Sequence, residues 1–410
     1  MAMGRRHRSI LLIAGMHRSG TSALTGALVE LGAGGPVDPM PATPDNPKGY
    51  GESQRLCRLH DRILTAANSA WDDIRPIEPA WFESAAAASL GAELSETLAE
   101  SYPPAPLIAV KDPRLCRVLP LWLRQLDADG IDVRIASPLR SPLEVARSLA
   151  ARDGMTKRFA LLLWLRNVLD AEAASRGRTR YFMSYDRLLR NWRGAIDEML
   201  AGLGLEGAST TRGDGEAFVD PNLRRWSVPP GELDTTPEAA HWVREAAMAL
   251  WTLSSAPTED RAAAAQSQLD ATADAFNAAA AVFGPLLEEG RRGAAAAETA
   301  LAAERDRRHQ AEHERDLALT EASDLFDADW YYAHYPDVRE AKLRPAEHFL
   351  RHGVVDGRSP GPAFDASWYL AVHPDVASTG LNPLIHYLRY GRVEGRTTRP
   401  TPHGAGDPAR

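Results

Sequence analysis

Only two cysteines, Cys57 and Cys116, occur in 410 residues, and no Cys-x-x-Cys or Cys/His cluster is present. That scarcity excludes a disulfide framework and a structural zinc site, and it suits the reducing cytoplasm as the expected location. No apolar run approaches the roughly 20 residues of a membrane span. The stretch Ile10 to Ala14 follows Arg5, Arg6 and Arg8 as in a signal peptide, but His17 and Arg18 interrupt it before any small-residue cleavage site. A buried first strand is expected there instead. A basic excess is also missing: 47 Lys plus Arg against 55 Asp plus Glu leave a net charge of −8, which argues against nucleic acid as a partner. Lysine itself is scarce, with only Lys48, Lys111, Lys157 and Lys342 in an Arg-rich chain. What remains is the 44% hydrophobic and 25% charged balance of a globular protein. At about 150 residues per domain, the length allows two or three domains.

Short apolar runs at 10–14, 107–110, 133–136 and 181–183 each precede turn residues and a helical pattern. Near-continuous apolar strands alternating with helices predict a parallel sheet covered on both faces. After the first run, Leu24, Ala27, Leu28 and Leu31 recur at helical spacing until Gly32 offers a stop, and the Pro-rich 36–47 stretch reads as loop. From about residue 256 the composition shifts to Ala, Glu, Arg and Asp, which predicts a helical spacer solvated over most of its circumference. Beyond it lies an internal repeat with a constant offset of 38. Phe326, Trp330, Tyr331, Pro336, Asp337, His348, Gly353, Gly357 and Arg358 return as Phe364, Trp368, Tyr369, Pro374, Asp375, His386, Gly391, Gly395 and Arg396. The expected organisation is an α/β domain over residues 1–255, a helical spacer over 256–322, a small, mostly helical repeat module over 323–400, and a disordered tail over 401–410. Two copies are too few for an open solenoid, so they should pack as one compact pair, with the aromatics mainly as core.

The first run leads into Gly15-Met16-His17-Arg18-Ser19-Gly20-Thr21-Ser22 and then a helix. A strand, a Gly-bounded loop and a helix N-terminus form an anion cradle from backbone N–H groups and the helix dipole. The loop is P-loop-like, with Gly15 and Gly20 five apart, but Thr21 stands where a nucleoside triphosphatase has its lysine. That substitution argues against ATP or GTP, while Arg18 still supplies a cation. A second anion site is legible at Arg140. Ser141 and Glu144 have the spacing of a capping box with Pro142 at the first helical position, and Ser148 lies two turns on along the same face. The Arg140 guanidinium and the Ser148 hydroxyl can therefore converge on one anion.

Taken together, these two elements resemble the sulfotransferases that use 3′-phosphoadenosine 5′-phosphosulfate (PAPS), in particular a bacterial group opening with this same loop. The resemblance spans roughly residues 8–226. It includes Asn46-Pro47-Lys48-Gly49-Tyr50-Gly51-Glu52, Lys111-Asp112-Pro113-Arg114, Ser184-Tyr185-Asp186-Arg187-Leu188-Leu189 and Asp220-Pro221-Asn222-Leu223-Arg224-Arg225. It departs at Gly51, where relatives often carry an aromatic residue. It implies that Arg18, Ser19, Gly20, Thr21 and Ser22 hold the 5′-phosphosulfate and that Arg140 and Ser148 hold the 3′-phosphate. It further implies Glu52 as the base for the acceptor hydroxyl and Lys111 as the cation on the leaving oxygen, with PAP as product and a sugar of a glycan or glycolipid as acceptor.

The residues support these roles independently. Lys111 ends the second run, at the sheet edge where doubly wound folds place ligands, and a compact ammonium suits a bridging oxygen better than a wide guanidinium. Sulfuryl transfer has no β- or γ-phosphate to bridge, so no metal is expected. His60 is the next candidate for the base. His309-Gln310-Ala311-Glu312-His313 matches a zinc-protease pattern, but it lies in the solvated stretch with nothing to place a third ligand. Two rival readings stand: a nucleotide-dependent kinase on the same fold, and an interaction protein whose repeats are the working part. The repeats are expected to dock a polysaccharide or a protein partner.

Overall fold

The computed structural model describes residues 9–43, 49–206, 219, 224, 226–229, 231–255 and 257–400. Several expectations lie outside the described residues: those on Asn46, Pro47 and Lys48, on Asp220, Pro221, Asn222, Leu223 and Arg225, and on the 401–410 tail.

Strands β1 (Ser9–Ile13), β2 (Leu107–Lys111), β3 (Asp132–Leu139) and β4 (Arg180–Ser184) form one sheet in the order β2-β1-β3-β4. Every pairing is parallel. Each predicted apolar run is one of these strands, so the α/β class holds. Side chains alternate across a strand. In β1, Ile10 and Leu12 enter one core layer while Leu11 and Ile13 enter the opposite one. Burial on both faces explains why the run is apolar without interruption.

Helix α1 (Thr21–Glu30) follows β1, α2 (Gln54–Ala66) and α3 (Ala85–Ser101) precede β2, and α4 (Leu115–Ala128) follows it. Leu56, Ile63, Leu94, Leu119 and Trp122 of α2, α3 and α4 cover one face of the sheet. Helices α5 (Pro142–Asp153) and α6 (Lys157–Ala174) connect β3 to β4, and α7 (Tyr185–Arg190) and α8 (Trp192–Gly202) come after. Leu24 and Leu28 of α1, with Leu188, Ile196 and Met199 of α7 and α8, cover the other face. The chain places β2 on one side of β1 and β3 on the other. The crevice at the C-terminal ends of strands around such a switch is where these sheets take ligands. There the segments leaving β1, β2, β3 and β4 meet.

After α9 (Glu232–Thr235) and α10 (His241–Ser254), the Ala/Glu/Arg-rich stretch is one helix, α11 (Glu259–Glu321). Its first part departs from the solvated spacer expected. Ala265, Leu269 and Phe276 recur at helical spacing and are buried in one cluster with Leu161 and Trp164 of α6 and Val243 of α10. Alanines hide a narrow apolar stripe in a polar composition, so the first compact unit runs to Gly290 rather than stopping at 255. No helix among the described residues is long and apolar enough to cross a membrane.

The second unit, Arg291–Arg410, carries the repeats. The first copy comprises α12 (Ala328–His334), α13 (Pro336–Glu340) and α14 (Pro345–His348), and the second comprises α15 (Ala366–Val372), α16 (Pro374–Thr379) and α17 (Pro383–His386). Each repeated residue has a structural task. Asp327 and Asp365 cap α12 and α15 by accepting from the Trp330 and Trp368 amides at 2.9 Å. The Tyr331 and Tyr369 hydroxyls lie 3.0 Å from Nδ1 of His348 and His386. Gly353 and Gly391 leave room for those hydroxyls, which a Cβ would meet. Arg358 and Arg396 pair with Asp337 and Asp375. Tyr331, Phe349, Phe364 and Tyr369 share one buried cluster, so the two copies pack as a pair with these aromatics as core.

Candidate functional site

The loop between β1 and α1 is held from both ends: the Ala14 amide donates to the Ala136 carbonyl at 2.9 Å, and the Ser19 amide to the Met16 carbonyl at 3.1 Å. Arg18 has φ 67 and Gly20 φ 90. Left-handed residues in such a turn aim successive N–H groups into a concavity that suits an anion. Among the described residues no side chain caps α1, so its first-turn N–H groups face the same concavity with the positive end of the helix dipole behind them. A Cβ on Gly20 would run into the Tyr185 ring and would have to adopt φ 90. Gly20→Ala is therefore expected to lower stability by about 2 kcal/mol. Chemical denaturation checks this, and an unchanged midpoint would show that the loop and Tyr185 can part freely.

The Arg140 element lies against this loop. Arg18 Nε donates to Ser148 Oγ at 2.8 Å, and an Arg140 terminal nitrogen donates to the Arg18 carbonyl at 2.9 Å. The other terminal nitrogen reaches the Trp226 carbonyl at 3.4 Å, and the guanidinium lies over the Tyr185 ring, 4.7 Å from its centre. The two anion sites expected separately are thus physically one. Pro142 begins α5 as predicted, but the capping box is not formed. Ser141 makes no side-chain cap bond, and Glu144 turns to the arginines instead. Its carboxylate, almost wholly buried, accepts from Arg140 Nε at 2.7 Å, from Arg224 at 2.6 Å and from the Val228 amide at 3.2 Å. Two guanidinium groups outcompete a single backbone N–H for it. Beside them opens a cavity of about 430 Å³ lined by Arg140, Glu144, Tyr185, Arg224, Met248 and Trp251.

Glu52 and Lys111 meet at the end of β2. They form a buried ion pair, with side-chain exposures of 8% and 2%. Lys111 Nζ also donates to Ser22 Oγ at 3.2 Å and to the Tyr50 carbonyl at 3.3 Å. The ammonium therefore stands within one hydrogen bond of the anion loop. The second Glu52 oxygen accepts from the Cys57 thiol at 3.5 Å. Burial, followed by the charges of Asp112 and Glu52, pushes that thiol's pKa up, so it stays a donor. Glu52, Cys57 and Asp112 are the only group among the described residues that has metal-ligand atoms close together, and both carboxylates already hold protein partners.

His60 corrects an expectation. It is fully buried, with Nδ1 on Asp112 at 2.9 Å and Nε2 accepting from the Trp122 indole at 2.8 Å, so neither nitrogen can take a substrate proton. It serves Asp112 instead. Burial works against that carboxylate's charge, but His60 and Arg114 outweigh it and hold the pKa well below the usual range. Asp112 in turn accepts from the Arg114 amide at 2.9 Å and fixes the turn after Lys111.

Arg18, Ser19, Gly20, Thr21, Ser22, Arg140 and Ser148 therefore gather at one end of the sheet, and Glu52 and Lys111 join them through Ser22. Sequence reasoning did not assign Glu144, Cys57 or Tyr185. The Glu144–Arg140 spacing of four was visible, but its other partners lie 80 or more residues away.

No family model matches the chain, and no curated protein matches its sequence. Among solved structures, the sulfotransferase domain of the Synechococcus olefin synthase is similar at 16% identity and a TM-score of 0.32, over 58% of this chain and 95% of that one. A sulfotransferase from Mycobacterium tuberculosis is similar at 18% identity and a TM-score of 0.29, over 50% and 69%. The sulfotransferase domain of the curacin biosynthetic pathway is similar at 12% identity and a TM-score of 0.27, over 54% and 78%. Likeness at this level carries no weight for function, which rests on the site itself.

Proposed function

We propose that this chain transfers a sulfuryl group from PAPS to an acceptor hydroxyl. The observation that carries the reading is the Arg18–Ser148 bond, with Arg140 on the Arg18 carbonyl, which joins the anion loop and the Arg140 element into one cationic site. A donor with a phosphosulfate at one end of its ribose and a phosphate at the other offers an anion to each part. A triphosphate would need the lysine that Thr21 replaces.

In this reading the loop amides, Arg18, Ser19, Gly20, Thr21 and Ser22 hold the 5′-phosphosulfate. Arg140 and Ser148 hold the 3′-phosphate. Arg140 has five N–H donors, and protein carbonyls and Glu144 take three of them among the described residues, so two remain for phosphate oxygens. The neighbouring cavity, with Tyr185 and Trp251 in its wall, suits the nucleoside. Glu52 accepts the acceptor's proton as its oxygen bonds to sulfur. The electron pair of the breaking S–O bond stays on the 5′-phosphate, and Lys111 stabilises the charge that develops there. No step calls for a metal. The acceptor is a sugar hydroxyl of a glycan or glycolipid, the reaction is cytoplasmic, and the repeat module docks a polysaccharide or a protein partner.

Thermal unfolding with PAP, PAPS, ATP and GTP tests the reading. A ligand at 100 times its dissociation constant adds about 2.7 kcal/mol, so PAP and PAPS should raise the midpoint while ATP and GTP leave it in place. Stabilisation by ATP or GTP alone would favour the kinase. No response to any of the four would favour the interaction protein.

A further inference from the structure

Glu52 and Lys111 occupy one another fully. An ammonium has three N–H donors, and those of Lys111 are taken by Glu52, Ser22 and the Tyr50 carbonyl. The Glu52 carboxylate is equally committed, with Lys111 on one oxygen and the Cys57 thiol on the other. Both side chains are buried, so water does not compete for either charge. In this arrangement the cation best placed to stabilise a leaving phosphate oxygen is neutralised and has no donor to spare.

A donor with an activated S–O bond is exposed to wasteful hydrolysis whenever it is bound without an acceptor. We propose that the Glu52–Lys111 pair is a latch that keeps bound PAPS from being hydrolysed until an acceptor arrives. The inference rests on the sulfuryl-transfer reading above. An acceptor hydroxyl opens the latch by giving its proton to Glu52. The carboxyl becomes neutral, its hold on Lys111 weakens, and the ammonium turns to the phosphate oxygen as the S–O bond breaks. Proton transfer and leaving-group stabilisation are thereby coupled in one ion pair. The Ser22 contact keeps Lys111 beside the loop throughout, so the turn is short.

The test needs PAPS alone and no acceptor. In hydrolysis a water oxygen bonds to sulfur, the S–O bond to the 5′-phosphate breaks, PAP and sulfate are released, and the protons pass to solvent. Glu52→Gln keeps the shape but removes the charge that restrains Lys111. The full-length variant should release PAP from PAPS at least threefold faster than wild type, with PAP affinity within twofold. Adding Lys111→Met to Glu52→Gln should abolish the gain, because the freed ammonium is its cause. If Glu52→Gln fails to hold PAP, Ser22→Ala, which frees one Lys111 donor, must show the same rise on a smaller scale. Hydrolysis that is unchanged or slower in a variant that still binds PAP overturns the latch and leaves the sulfuryl-transfer reading standing. A wild-type chain that binds neither PAP nor PAPS overturns both.

Discussion

Arg140→Ala is expected to weaken PAP binding by about a hundredfold or more, since it removes two charge-assisted contacts to one phosphate, each worth about 1.5–3 kcal/mol. Arg140 is also structural. It is the only residue that bonds the Arg18 carbonyl, Glu144 and the Trp226 carbonyl together, among the described residues. Its loss leaves one oxygen of a buried carboxylate facing a void, and breaking such a pair costs about 3 kcal/mol. Arg224 and the Val228 amide still hold the other oxygen, so the cost falls towards the lower end of the range. Isothermal titration and chemical denaturation read the two effects separately. Arg140→Ala/Glu144→Ala should recover most of the stability, because no charge is then stranded, yet none of the PAP affinity. Recovery of affinity in the double variant would mean that Arg140 acts on the nucleotide only by holding the fold.

The parts of this site that were legible in the sequence are those built from local signals. The apolar run in β1, the glycines at 15 and 20 and the Pro142 start of α5 each act over a few residues, and each folds as its pattern predicts. Ion pairing was not legible, because a charge carries no mark of its partner. Glu52 and Lys111 are 59 residues apart, and only the pairing of β1 with β2 brings Lys111 beside the start of α1. Glu144 misled for a related reason: Ser141 and Arg140 stand three and four residues before it, both plausible partners for a helix-start glutamate. The distant Arg224 settles the competition, since a second guanidinium makes the salt-bridged arrangement better than a backbone cap. His60 reads as a free base in sequence because nothing local shows that Asp112 and Trp122 close over it. The repeats sit at the other extreme. A Tyr and a His seventeen apart in both copies are the buried Tyr331–His348 and Tyr369–His386 pairs, so an offset visible in sequence was already a statement about packing.

Lys111→Ala should depress sulfuryl transfer by about 10²–10³-fold, the usual loss when one preorganised charge on a leaving oxygen is removed. PAP affinity should change less than about threefold, since charge on that oxygen develops mainly in the transition state. The rate is read as sulfate transferred from PAPS to a panel of glycans and glycolipids, and affinity by titration with PAP. Lys111→Arg should rescue little: the guanidinium is wider than the ammonium it replaces, and the space is already shared by Glu52, Ser22 and Tyr50. The decisive comparison is with the partner. Glu52→Gln and Lys111→Ala act on one ion pair, so the double variant should be only slightly slower than the slower single variant, far from the product of the two losses. Multiplying losses would show two independent groups, with Glu52 taking its proton and Lys111 meeting its oxygen without reference to each other. A Lys111→Ala variant that transfers sulfate at the wild-type rate would move the leaving-group cation elsewhere, and Arg18, the loop's own guanidinium beside Ser148, is the group to which it would pass.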